Sequence, residues 1–101
     1  MYATVRVYES AEGLADAVAA NRAEILALFE DIPGFRGYHM VSTGPASCVS
    51  ITVFDDQAGA EASNAAARDW IAGNLPGMSI SPPAVHAGEV TMSTSAATAG
   101  R

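Results

Sequence analysis

Phe35-Arg36-Gly37-Tyr38-His39-Met40-Val41-Ser42 alternates in polarity, Thr43-Gly44-Pro45-Ala46 supplies turn residues, and Ser47-Cys48-Val49-Ser50-Ile51-Thr52-Val53-Phe54 alternates again. Two period-two runs joined this tightly read as an antiparallel β-hairpin. Working back from it, Pro33-Gly34 ends a helix in which Leu14, Val18, Ile25, Phe29 and Ile32 recur at helical spacing. Ser10 is the expected cap of that helix. Before it, Tyr2 to Tyr8 alternates, with Ala3, Val5 and Val7 on one side and Tyr2, Thr4, Arg6 and Tyr8 on the other.

Working forward, Asp55-Asp56 puts acceptors and negative charge at a helix start. Residues 57–75 are alanine-rich and expected to be helical. Pro76-Gly77 breaks that helix, and Ala84 to Met92 is a fourth strand candidate. The order is β-α-β-β-α-β. This predicts an α+β, ferredoxin-like fold, a four-stranded antiparallel sheet with two helices on one face and strands one and three central. Residues 1–92 form the expected single domain, and 93–101 an expected flexible tail.

Two helices hide only one face of such a sheet. Strand two offers the helices either Phe35, His39 and Val41 or Tyr38 and Met40, and strand four either Val85 and Ala87 or His86, Val90 and Met92. Either choice leaves large side chains on the other face. A second copy packing sheet against sheet is the simplest cover, so a homodimer is expected.

Composition narrows the functions. The chain has 101 residues, half of them hydrophobic, and a net charge of −6. Neither nucleic acid nor an anionic membrane is an expected partner. One cysteine, Cys48, excludes an internal disulfide framework and a cysteine-based metal cluster. With no leader or spanning segment visible, the expected location is cytoplasmic. No P-loop, G-x-G-x-x-G or G-x-S-x-G occurs.

Pro33-Gly34-Phe35-Arg36-Gly37-Tyr38-His39, Ser50-Ile51-Thr52-Val53-Phe54-Asp55-Asp56, and Ala58-Gly59-Ala60-Glu61-Ala62-Ser63 followed by Trp70 resemble the antibiotic biosynthesis monooxygenase-like domains of the dimeric α+β barrel superfamily. The resemblance spans roughly residues 2–92. It implies a pocket between sheet and helices, lined by a Trp and an Asn of the second helix and a Tyr or His from elsewhere. Trp70 takes the tryptophan position. The family's asparagine position falls at Ala66, and Asn74 shares the helical face of Trp70.

These residues set three expectations. The first is an oxygenase that needs no cofactor and no metal, acting on an aromatic or polyketide-like ring. His39 or His86 would take the proton, and Trp70, Asn74, Phe29 and Met40 would hold the ring. The second is a non-catalytic dimer that binds a small hydrophobic aromatic ligand or serves a structural role. The third is haem binding and degradation, for which the second helix lacks a histidine. Among the other polar residues, Cys48 is expected to be a buried inert thiol. Arg6 and Arg36 are expected to pair with acids at the interface between copies, with binding of an anionic substrate group as the alternative.

Overall fold

The structure, a computed structural model, describes residues 1–94. Its order is β1 (Tyr2–Tyr8), α1 (Leu14–Ala20), α2 (Arg22–Glu30), β2 (Phe35–Gly44), β3 (Ser47–Phe54), α3 (Gln57–Asn74) and β4 (Ala84–Glu89). The strands form one antiparallel sheet in the order β2-β3-β1-β4, with β1 and β3 central as expected. The expected tail falls for the most part outside the described residues. Among those described, no helix is long and apolar enough to cross a membrane.

The first helical stretch differs from its expected form. It begins at Leu14 with Gly13 as its cap, not at Ser10, and it is broken at Asn21 into α1 and α2. Asn21 leaves helical geometry (φ −111°, ψ 32°), and its side-chain amide donates to the Ala17 carbonyl at 2.8 Å. An amide that bonds nearby backbone competes with the helical ladder, which accounts for the break. The apolar stripe survives it, since Leu14, Val18, Ile25 and Phe29 are all buried. α3, the second of the two expected helices, starts as expected, with the Asp56 carboxylate accepting from the Gly59 N–H at 3.0 Å.

The register decides which side of each strand the helices cover. Thr4, Arg6 and Tyr8 of β1 and Cys48, Ser50, Thr52 and Phe54 of β3 are buried beneath the helices. Ala3, Val5 and Val7 of β1 and Val49, Ile51 and Val53 of β3 point the other way. On β2 the helix side carries Tyr38 and Met40, opposite Thr52 and Ser50. Phe35 joins them, opposite Phe54, because a β-bulge between Phe35 and Gly37 inserts one residue and reverses the alternation. Gly34 makes the preceding turn at φ 85°, and its carbonyl accepts from the Asp55 N–H at 2.8 Å.

Candidate functional site

The helix-facing side of the central strands is polar in sequence yet buried. Arg6 is only 1% exposed. Its Nε donates to Ser50 Oγ at 2.9 Å, its Nη1 to Asn64 Oδ1 at 2.8 Å and Ser63 Oγ at 3.4 Å, and its Nη2 to Thr52 Oγ1. Asn64 Oδ1 also accepts from Thr4 Oγ1 at 3.0 Å. The guanidinium carbon lies 5.8 Å from the Phe29 ring centroid, within cation–π range. Every oxygen that accepts from Arg6 here is neutral.

Arg6 therefore departs from the expectation that it pairs with an acid. Among the described residues the arginine–carboxylate pairs are Arg36–Asp55 at 2.5 Å and Arg68–Asp69 at 3.4 Å, both exposed. Burial pulls the Arg6 guanidinium below its ordinary value, opposed by the neighbouring phenols of Tyr8 and Tyr38. It stays charged at any physiological pH. Burial also pushes the phenol of Tyr38 up to about 12 and that of Tyr8 upward, so both remain neutral hydroxyls. Cys48 is a buried thiol with its pKa raised by desolvation, as an inert role requires.

A cavity of about 20 Å³ adjoins this network, lined by Arg6, Tyr8, Tyr38, Phe29, Met40 and Trp70 together with aliphatic residues. It holds about one water molecule. Phe29 and Tyr38 stack beside it with centroids 4.8 Å apart. Trp70 closes the α3 side, and its indole N–H donates to Glu24 Oε1 of α2 at 3.0 Å. Outside the cavity, an open groove of about 830 Å³ runs between α1–α2 and β2. Val18, Ile25, Tyr38 and Met40 line both spaces, so these four side chains form the partition between the groove and the cavity.

Of the expected site residues, Trp70, Phe29 and Met40 meet around this cavity. Asn74 does not. It is exposed at the last residue of α3, and its amide donates back to the Trp70 carbonyl at 3.0 Å. The α3 asparagine that faces the sheet is Asn64.

Neither histidine lines the cavity. His39 pairs with Ile51, Ile51 with Val5, and Val5 with His86, which sets all four residues in one row across the outward face. The two histidines stand at opposite edges, three strand spacings or roughly 14 Å apart. His39, on edge strand β2, also borders the groove. Among the described residues no group of histidine, cysteine and acidic side chains is placed to hold a metal ion.

Sequence reasoning missed Arg6, Asn64, Tyr8 and Tyr38 as one constellation. The available signal was the polar row Thr4, Arg6, Tyr8 on a strand that the topology makes central. An arginine in the middle of a central strand has to be buried on one face or the other.

No family model matches the chain, and neither does any curated protein. Solved structures do match. The chain is similar to NE2512 of Nitrosomonas europaea, a protein of unknown function, with 24% identity, a TM-score of 0.69 and coverage of 96% of this chain and 95% of that one. It is similar to an MhuD mutant solved with two manganese protoporphyrin IX bound per active site, at 17% identity and TM-score 0.68 over 95% of this chain and 100% of that one. It is also similar to a Chloroflexus aurantiacus protein provisionally assigned as an antibiotic biosynthesis monooxygenase, at 21% identity and TM-score 0.63 over 93% and 96% of the two chains. At these identities the likeness establishes the fold. The chain has the ferredoxin-like fold of the antibiotic biosynthesis monooxygenase-like proteins.

Proposed function

We propose that the chain takes a flat aromatic or polyketide-like molecule into the space between helices and sheet and oxygenates it without a cofactor. The observation that carries this reading is an aromatic-lined cavity set apart from an open groove by a single shared layer of side chains. Apolar walls with a few converging polar groups suit a small ring. With the Val18–Ile25–Tyr38–Met40 wall displaced, the ring rests at that partition, flanked by Trp70, Phe29 and Met40, and the bulk of the molecule lies in the groove.

The substrate itself is the reductant. A ring methylene loses a proton, and the carbanion reacts with dioxygen. The methylene carbon ends as a carbonyl, holding one of the two oxygen atoms. The other oxygen leaves as water with both methylene hydrogens, so the four electrons that dioxygen takes up all come from that carbon. His39, which sits on the outward face of edge strand β2 and also borders the groove, is our candidate to take that proton. His86, at the opposite edge of the sheet, is not. The outward face, with its central aliphatic rows, packs on a second copy of the chain, making the working unit a homodimer.

Oxygen consumption measured over a panel of phenolic and anthrone-like compounds tests this reading. Uptake that falls with Trp70→Phe and with His39→Ala supports it. Uptake indifferent to both assigns the activity elsewhere.

One observation favours a second reading, binding without turnover. Among the described residues the cavity lining offers no carboxylate or imidazole, only phenols held neutral and a guanidinium. Saturable binding of the same compounds with no oxygen consumption selects that reading. The residues do not fit haem. The cavity beside Trp70 is lined by no histidine, α3 carries none, His39 borders the groove only from the outward side of β2, and His86 stands at the opposite edge of the sheet.

A further inference from the structure

The Arg6 network carries a positive charge that no described residue neutralises. A buried charge without a counter-ion costs several kcal/mol, and proteins ordinarily place a carboxylate beside it. Here the acceptors are Ser50, Thr52, Ser63 and Asn64, all uncharged, and the adjacent phenols of Tyr8 and Tyr38 stay protonated. The cation is also fixed in place. Hydroxyls from β3 and groups from α3 grip it from two elements, and it borders the cavity that one layer of side chains separates from the groove.

Donor counting narrows what this cation receives. A guanidinium has five N–H groups. The bonds to Ser50, Asn64, Ser63 and Thr52 use four of them. The fifth, on Nη2, lies against the Tyr8 hydroxyl, to which the Arg6 side chain is hydrogen-bonded. A carboxylate would seek the two-pronged face of the fork, which Ser63, Asn64 and Thr52 already occupy. A ligand oxygen that enters here meets the Tyr8 hydroxyl with the unneutralised guanidinium directly behind it, an arrangement that suits a single ionised oxygen. The cavity, at about 20 Å³, has room for one such atom with the ring behind it at the Tyr38–Met40 partition.

We infer that the molecule this pocket takes up is bound as an anion, its one ionised ring oxygen, phenolate or enolate, held by Arg6. The inference rests on the pocket reading above and goes beyond it by fixing the charge state and the anchoring residue. It also supplies what the cavity lining lacks. With no carboxylate or imidazole lining the cavity among the described residues, the anion is favoured there by the charge beside it, and the proton passes to the groove and solvent. An opposite charge at contact distance stabilises the ionised form and lowers the ligand's own pKa.

The test uses 4-nitro-1-naphthol, whose ionised form is distinguishable by absorbance, and its methyl ether, which cannot ionise. Each is titrated into the wild-type protein, and the naphthol is also titrated across pH. The expected result is that binding lowers the apparent pKa of the naphthol by about one unit or more. That is about a tenfold preference for the anion. The ether should bind at least about tenfold more weakly than the naphtholate. In Arg6→Met the pKa displacement should vanish while the ether still binds. Equal affinities for naphtholate and ether, or an apparent pKa that rises on binding, overturns the anion assignment and leaves the pocket reading standing. Failure of both compounds to bind overturns the pocket reading and this inference with it. The comparison of the two ligands is made on the wild-type chain, so it decides the matter even if Arg6→Met does not fold.

Discussion

A methyl group placed on Gly59 of α3 would lie 2.6 Å from the ring of Phe54 on β3. No Cβ tolerates that distance, and the ring is packed at 0% exposure with no room to withdraw. Alanine is the better helix former by about 1 kcal/mol. Overpacking a tight site costs about 1–3 kcal/mol. The steric cost dominates, so Gly59→Ala should lower the urea midpoint and should do so without loss of helical signal.

The same contact explains how a helix of small residues packs on this sheet. Gly59, Ala60 and Ser63 let the first half of α3 sit close, while Trp70 fills the wider space towards the other end, where the small cavity is left. Strand and helix periods made the βαββαβ order readable. The buried face was not readable, because both sides of β1 hold side chains able to pack, and burying Thr4, Arg6 and Tyr8 depends on partners from β3 and α3 that are far away in sequence. The reversal of Phe35 depends on a bulge, and the break at Asn21 on a single amide. Trp70 was legible by its size as the large side chain that α3 turns toward the sheet. Asn74 was misplaced because spacing from Trp70 gives a helical face but not where the helix ends.

The row His39–Ile51–Val5–His86 runs through the centre of the outward face. If two copies pack through it, a carboxylate at Ile51 is buried twice in one symmetric interface. Leaving a charge unpaired there costs about 3 kcal/mol or more per copy. At about 1.4 kcal/mol per tenfold, Ile51→Asp should weaken self-association by about four orders of magnitude. Sedimentation should show twice the subunit mass for wild type and the subunit mass for the variant. A wild-type chain that sediments as a monomer at micromolar concentration rejects the dimer.

Tyr38 predicts how the protein responds to alkali. Its phenol ionises at 10.0 in an ordinary setting and at about 12 in the folded chain, chiefly because burial disfavours the phenolate. Between these values the unfolded chain gives up a proton that the folded chain keeps, so stability falls as pH rises. The contribution is intact below pH 10 and lost towards pH 12. Its full size is roughly 3 kcal/mol at about 1.4 kcal/mol per pH unit. Tyr8 shifts in the same direction. Tyr38→Phe should flatten the decline between pH 10 and 12, as read from denaturant midpoints, and should remove the latest-ionising phenol from an ultraviolet titration.

Glu24 and Trp70 join α2 to α3 across the top of the cavity through a 3.0 Å hydrogen bond. Glu24 is exposed and Trp70 is 7% exposed, so the bond is partly wet and worth about 1 kcal/mol. Glu24→Ala should lose about that much stability. It should also leave the indole N–H seeking water, and Trp70, the only tryptophan, reports this directly by fluorescence. The functional consequence follows from the partition. Ile25, on α2 next to Glu24, is one of the four side chains between the groove and the cavity. Freeing α2 from α3 lets that wall yield more readily. Glu24→Ala should therefore bind an aromatic ligand with a faster association rate, by a few-fold, in stopped-flow quenching of Trp70. An unchanged association rate with the expected loss of stability would mean that ligand reaches the cavity by a route that does not displace α2.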